Sequence, residues 1–285
     1  MSSLKKAKQN IQANLSMKDL IDVYERVAAN TMMKIREQII KSREYYQGLA
    51  NLSVRVGSDI ANIAQNKNNT KALVLISANE GLYGDITDKV FFSFLKAVKN
   101  TDGADILVAG KVGETMMKRF APKVKYQVLT LVSDDNGELV EILGNKLWTY
   151  KAVNIFFGQF HSIAKQEAMN RDLSANELKK FQLDLAEGDI AKLEYIYEPS
   201  VEVITAKFSQ GIFVGIFRQT LKEDELAKNA SRLMHLDSSL VEVNKRLIKN
   251  KNHYRKIIKR NSSKKQRLQA LGHKMINKTR RSYVY

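Results

Sequence analysis

Tyr195-Ile196-Tyr197-Glu198-Pro199-Ser200 is followed by 85 residues without a single proline, and that contrast decides how the chain is read. Only Pro122 and Pro199 occur in 285 residues. Proline lacks a backbone donor and clashes with the preceding helical turn, so its absence over long spans permits uninterrupted helices. The first 121 residues and the stretch from 200 to 285 are both proline-free. Two long terminal helices flanking a compact middle are therefore expected.

Periodicity supports this. Leu4, Ala7 and Ile11, then Leu20, Tyr24, Val27, Thr31, Ile35 and Ile39, recur at helical spacing, so residues 4 to about 57 read as one helix. The stripe is narrow, closer to a coiled-coil seam than to the broad face of a core helix. At about 1.5 Å per residue such a helix runs roughly 80 Å and needs a partner helix. The other end of the chain supplies one. Val201, Ile204, Phe208, Ile212, Phe217 and Leu221, then Leu233, Leu236, Leu240, Val243, Leu247 and Tyr254, continue a helical pattern that Gly272 is expected to end.

The middle changes period. Ala72–Ser77 and Asp105–Gly110 are short apolar runs that read as buried strands, and Lys125–Leu131 is a third candidate. Helices are expected from Val90 and over Val112–Phe120. Ala152–Phe157 reads as a strand or a helix, and Asp134-Asp135-Asn136-Gly137 as a turn. Strands alternating with helices argue a small parallel or mixed α/β domain. The boundaries expected are 1–60 for the first helix, 68–195 for the α/β domain and 200–285 for the second helix with its tail.

Composition narrows the function. Net charge is +17, yet no acidic residue follows Glu242, and 15 Lys and Arg lie between Lys245 and Arg281. The rest of the chain is close to neutral, so the basic block calls for an acidic partner or for solvent. There is no cysteine, which excludes disulfides and thiolate metal sites. His161, His235, His253 and His273 lack ligand spacing, and no metal or other cofactor is expected. No apolar run spans a membrane. Gly81 and Gly84 do not make a dinucleotide fingerprint, and no P-loop occurs.

Five short segments stand in order along the chain: Val27-Ala28-Ala29 with Met32 or Met33 and Lys34; Val74-Leu75-Ile76-Ser77 followed by Gly81-Leu82-Tyr83-Gly84; Gly110-Lys111-Val112-Gly113; Tyr195–Pro199; and Arg232. Together they resemble the gamma subunit, the central rotor shaft, of rotary F-type ATP synthases. The first is similar to a family segment near the N-terminus, the second to the family's strand and glycine turn, and the third to a further turn. Tyr195–Pro199 matches a family signature almost letter for letter, and Arg232 stands where the family has an arginine. The chain also departs from the pattern. Tyr83 replaces the usual cysteine, Asp85 replaces a glycine, and Tyr24 and Arg26 stand near a family methionine. Ile258 and Lys259 fall where relatives carry an arginine–glutamine pair.

The resemblance implies an antiparallel coiled coil of the two terminal helices plus a small Rossmann-like α/β domain. It implies a non-catalytic shaft inside a ring of three alpha and three beta subunits. Epsilon- or delta-type subunits and a membrane ring, or its replacement, are further implied partners, and nucleic acid is not expected. On this reading Tyr24, Arg232, Leu236, Tyr254, Arg255, Lys256, Lys259 and Arg260 face the catalytic ring. Tyr195, Tyr197 and Glu198 lie at the foot toward the membrane, and Gly81, Leu82 and Gly84 form the family turn. Lys249 and Lys251 join the basic collar toward an acidic loop of beta. The implied location is peripheral, on the cytoplasmic side of the cell membrane. Two other readings stand beside it. One is the shaft of a specialised F-type-like ATPase of a wall-less bacterium, such as a gliding motor. It agrees with the divergent tail and with a Lys- and Asn-rich, cysteine-free composition whose sole tryptophan is Trp148. The other is a nucleic-acid-binding protein using the basic block. Few aromatics interleave those charges, which argues against it.

Overall fold

The computed structural model describes residues 3–55, 68–101, 103–130, 137–174, 180, 198 and 200–282. Along the chain come α1 (Ser3–Arg55), β1 (Asn68–Ile76), α2 (Ile86–Asn100), β2 (Asp105–Ala109), α3 (Lys111–Phe120) and β3 (Gln127–Leu129). Then follow α4 (Gly137–Trp148), β4 (Tyr150–Ser162), β5 (Lys165–Asp172) and α5 (Val201–Ser282). Two compact units emerge, one from Met1–Arg26 with Leu236–Tyr285 and one from Val27–His235. Each long helix thus contributes to both.

In the larger unit the strands form one sheet in the order β3-β2-β1-β4-β5. The first four are parallel neighbours, and β5 returns antiparallel to β4. Strand alternation explains why β1 is apolar at every position from Ala72 to Ile76. Ala72, Val74 and Ile76 face one core with Phe213, Ile216 and Phe217 of α5. Leu73 and Leu75 face the other with Phe91 and Phe94 of α2 and Met117 of α3. A central parallel strand covered on both sides needs apolar residues at every position. β4 divides likewise, with Val153, Ile155 and Phe157 on the α5 side and Phe156 on the other.

The ambiguous segment around Ala152–Phe157 is thus a strand, longer than expected. Two elements went unread: α4 and β5. The turn expected at Asp134–Asn136 lies outside the described residues, and Gly137 opens α4 instead. β5, Lys-Gln-Glu-Ala-Met-Asn-Arg-Asp, is an edge strand that buries little and so carries no apolar alternation. Expected Lys125–Leu131 shrinks to Gln127–Leu129, and Gly272 does not end α5, which runs on to Ser282. A single exposed glycine costs a long helix only about 1 kcal/mol, too little to stop it.

The α1 stripe lies where it was expected at Ala7 and Ile35 and falls one residue further on at Ile21, Ala28 and Met32. Ala7, Ile21, Ala28, Met32 and Ile35 are buried, whereas Leu20 and Val27 are at least half exposed. Ala7, Ile21, Ala28 and Ile35 are separated by multiples of seven, the period at which a helix presents one seam to another. Within the larger unit, α1 and α5 run antiparallel. Leu49 lies against Gly211, the Tyr46 ring occupies the space above Gly215, and Met32 and Ile35 share a cluster with Leu226 and Ala230. Positions on one helix rise as those on the other fall. A side chain at 215 would collide with Tyr46, so this glycine sets how closely the helices approach. In the smaller unit, Ile21 and Tyr24 pack on Leu236, Leu240 and Val243.

Candidate functional site: the long helices and the polar seam of α5

Four-residue spacing puts Thr220, Asp224, Lys228 and Arg232 on one face of α5, and all four are buried. Arg171 of β5 donates to Thr220 Oγ1 at 2.7 Å and to Glu223 Oε2 at 2.9 Å, with its guanidinium over the Phe157 ring. Asp224 Oδ1 accepts from the Gly158 amide of β4 at 2.8 Å, and Oδ2 pairs with Lys228. Lys228 Nζ also donates to the Ser77 carbonyl just past β1, at 2.9 Å. Burial pushes the Asp224 carboxyl above its ordinary range, against the pull of Lys228 and the Gly158 amide.

One turn further on, Arg232 reaches the loop after β1. Its Nη2 donates to the Gly81 carbonyl at 3.1 Å and its Nε to the Leu82 carbonyl at 3.4 Å. The guanidinium sits 3.9 Å from the centre of the Tyr83 ring and 3.9 Å from Glu80. Leu82 takes a left-handed conformation, φ 68°, that non-glycine residues rarely adopt, and its side chain is exposed. Gly84, φ +65°, lies so close to His235 and Ser231 that a side chain there would overlap both. Burial raises the Tyr83 hydroxyl above its usual range, with Arg232 pulling the other way.

The residues expected to face a partner ring divide. Arg255, Lys256, Lys259 and Arg260 are exposed on α5, and Tyr24 and Tyr254 are half-buried. Leu236 is buried against Ile21 and Val243. Arg232 differs most. Its side chain is only 7% exposed and is held within the chain by the loop at 80–83. Gly81, Leu82 and Gly84 come together in that loop. Glu198 is exposed, while Tyr195 and Tyr197 lie outside the described residues. Sequence reading did not select Asp224, Lys228 or Arg171. The signal was there for the first two: an acid and a base four apart in a segment otherwise apolar enough to be buried.

Further along α5, residues 258–272 are exposed without exception, including Leu268 and Leu271. Among the described residues no group of three or more His, Cys, Asp or Glu could hold a metal, and no helix is long and apolar enough to cross a membrane.

Two terminal helices closed antiparallel on each other, with a five-stranded α/β layer seated on one of them, define a class of subunit built around a helical stalk. The family model described as ATP synthase matches residues 3–257, and the chain belongs to that family, in its gamma-chain branch. Among similar relatives are the ATP synthase gamma chain of Maridesulfovibrio salexigens, 26% identical over 263 residues, and that of Nitratidesulfovibrio vulgaris, 26% identical over 262. Each comparison covers 84% of this chain and 87% of the relative. Similar solved structures include the rotor of the Euglena gracilis mitochondrial ATP synthase, TM-score 0.60 at 13% identity, covering 90% of this chain and 98% of that one. The central stalk of the Tetrahymena thermophila enzyme gives a TM-score of 0.57 at 15% identity, over 77% of this chain and 99% of that one. At those identities the structures establish the shared fold.

Proposed function

We propose that this chain is the non-catalytic central shaft of a rotary F-type ATPase, turning inside a ring of three alpha and three beta subunits. The observation that carries this is the antiparallel pairing of helices from the two ends of the chain, Tyr46 and Leu49 on Gly215 and Gly211 and Met32 and Ile35 with Leu226 and Ala230. Paired in this way, the helices work as an asymmetric coiled coil. An asymmetric rod meets three otherwise equivalent catalytic sites differently, so the sites hold nucleotide with different affinities. Linkage then requires the converse, that nucleotide turnover turns the rod. No reactive group is needed on the shaft; stiffness and shape suffice.

The exposed cations Arg255, Lys256, Lys259 and Arg260, with Lys249 and Lys251, are suited to an acidic surface of the surrounding ring. Tyr195, Tyr197 and Glu198 belong to the foot, where epsilon- or delta-type subunits and a membrane ring or its replacement attach. The assembly sits peripherally on the cytoplasmic face of the membrane, coupled to ion transport where a membrane ring is present. Purification with the alpha and beta subunits tests this. The expected product is a complex with one copy of this chain per three of each, whose ATP hydrolysis rotates a bead fixed to the chain. A chain that binds nucleic acid and ignores both subunits defeats the reading.

One observation favours a second reading, a specialised motor such as one used for gliding. The family match ends at residue 257, yet α5 continues as a basic helix to Ser282, with every described side chain from 258 to 272 exposed. The partners that remain after the alpha and beta subunits are accounted for distinguish it from a synthase.

A further inference from the structure

The segment of α5 from Thr220 to Arg232 meets the sheet and its loops through charged and polar groups, beside apolar contacts such as Ala227 at Gly158 and Leu226 in one cluster with Phe160. Two turns earlier, at Ile212, Phe213, Ile216 and Phe217, the same helix meets it through apolar ones. The two kinds of contact resist motion differently. Apolar burial has no preferred direction, and packed ridges can re-seat in a neighbouring groove, as helices that shift by one turn do. Hydrogen bonds fail with small changes in distance and angle. A one-turn slip of α5 would move Asp224 and Lys228 away from the Gly158 amide and the Ser77 carbonyl while leaving both charges buried.

Each step of the stripe grips a different element. Thr220 takes β5 through Arg171, Asp224 takes β4 at Gly158, and Lys228 takes the end of β1 at Ser77. Arg232 takes the loop at Gly81 and Leu82. We propose that Asp224 and Lys228, with Arg171 and Arg232 on either side, are positioning residues that lock the register of α5 against the sheet, so that a turning helix carries the α/β layer with it without slip. This rests on the shaft reading for its purpose, and on geometry alone for its existence. Buried ion pairs add little net stability but are retained where they select one arrangement over near alternatives. The loop at 80–83 fits this role. Its unfavourable left-handed Leu82 is held on the carbonyl side by Arg232, which no packing of the exposed Leu82 side chain replaces.

The test separates register from stability. The double variant Asp224→Leu/Lys228→Met replaces the pair by apolar groups of similar size, and thermal unfolding of the full chain is expected to stay cooperative and to fall only modestly, since the Gly158 amide and the Ser77 carbonyl lose their side-chain partners. The chain has no cysteine, so single cysteines placed at exposed Lys96 on α2 and exposed Val203 on α5 take labels cleanly. In the isolated chain, spin labels at these two sites are expected to give one narrow distance distribution. In the double variant a second population is expected, displaced by about one helical turn, 5.4 Å. An unchanged narrow distribution in the double variant overturns the lock. Arg171→Gln, which leaves the buried pair intact, is expected to give a smaller version of the same broadening and keeps the test open if the double variant does not fold.

In the complex with alpha and beta subunits, a bead at Val203→Cys is joined to α5 covalently, whereas a bead at Lys96→Cys is driven through the seam. The double variant is expected to lower the torque delivered to the Lys96 bead severalfold and leave that at the Val203 bead unchanged. Equal torque at both beads, whether full or reduced, overturns the lock. Failure of the unmodified chain to assemble with the ring counts against the shaft reading alone, since the distance measurement stands without it.

Discussion

Lys228 shows most directly what single residues contribute. Its side chain is 9% exposed, and its ammonium is satisfied by Asp224 and the Ser77 carbonyl. Lys228→Ala would leave the Asp224 carboxylate buried and unpaired, with an expected loss of about 3–5 kcal/mol in chemical denaturation. The opposite sign is expected at Leu82. Left-handed backbone costs a non-glycine residue roughly 1–2 kcal/mol, and the exposed side chain returns little. Leu82→Gly should therefore raise thermal stability by up to about 1 kcal/mol once glycine's extra chain entropy is counted. The tyrosines give a pH dependence. Burial raises the hydroxyls of Tyr46, Tyr83 and Tyr150 above their ordinary value of 10.0. The unfolded chain then releases these protons at lower pH than the folded chain. Stability is intact below pH 10.0 and is lost as pH rises from there through the folded values. Tyr83→Phe should reduce that alkaline loss, and ultraviolet titration of folded and denatured chain measures it directly.

At the scale of elements, the long helices owe their stability to each other. An isolated helix gains little in water, and an amphipathic one is held by the face it buries. Ile35 is almost wholly buried with Leu226 and Ala230, so Ile35→Ala should cost about 2–5 kcal/mol in thermal or denaturant unfolding. The far end of α5 is the contrasting case. Truncation after Asn261 removes residues whose described side chains are exposed, and the melting of the isolated chain should not change. Assembly with the ring should survive as well, with weaker coupling of hydrolysis to rotation. Unaltered rotation in that truncation would refute a role for the tail in the ring. Legibility followed burial. β1 and β2 were readable because both faces are covered and apolar residues run unbroken from Ala72 to Ile76 and from Ile106 to Ala109. β5 was not, since an edge strand meets solvent and has no such pattern. α4 carried a readable spacing in Val140, Leu143 and Leu147, which pack on the α5 core, but the adjacent Asp-Asp-Asn-Gly run drew attention to a turn.

At the scale of the whole molecule the basic block matters through its sum. Each exposed cation is worth about 0–1 kcal/mol against an acidic partner, and salt screens such contacts over about 10 Å at 0.1 M. Replacing Lys256, Lys259 and Arg260 together by glutamine should weaken ring binding modestly and flatten its salt dependence, measurable by titration at several ionic strengths. The sequence by itself determined that two proline-free helices flank an α/β middle, because proline content and apolar period are local properties that survive without knowledge of the fold. It also determined the family, through short motifs kept in order. Only the tertiary structure decided which α1 stripe is buried, since neighbouring stripes of similar period compete and the partner helix selects one. It alone turned Arg232 inward and joined Arg171, Asp224, Lys228, Ser77 and Gly158 into one seam. Those residues lie on separate elements, and the value of a buried charge depends on what the fold brings within hydrogen-bonding distance of it.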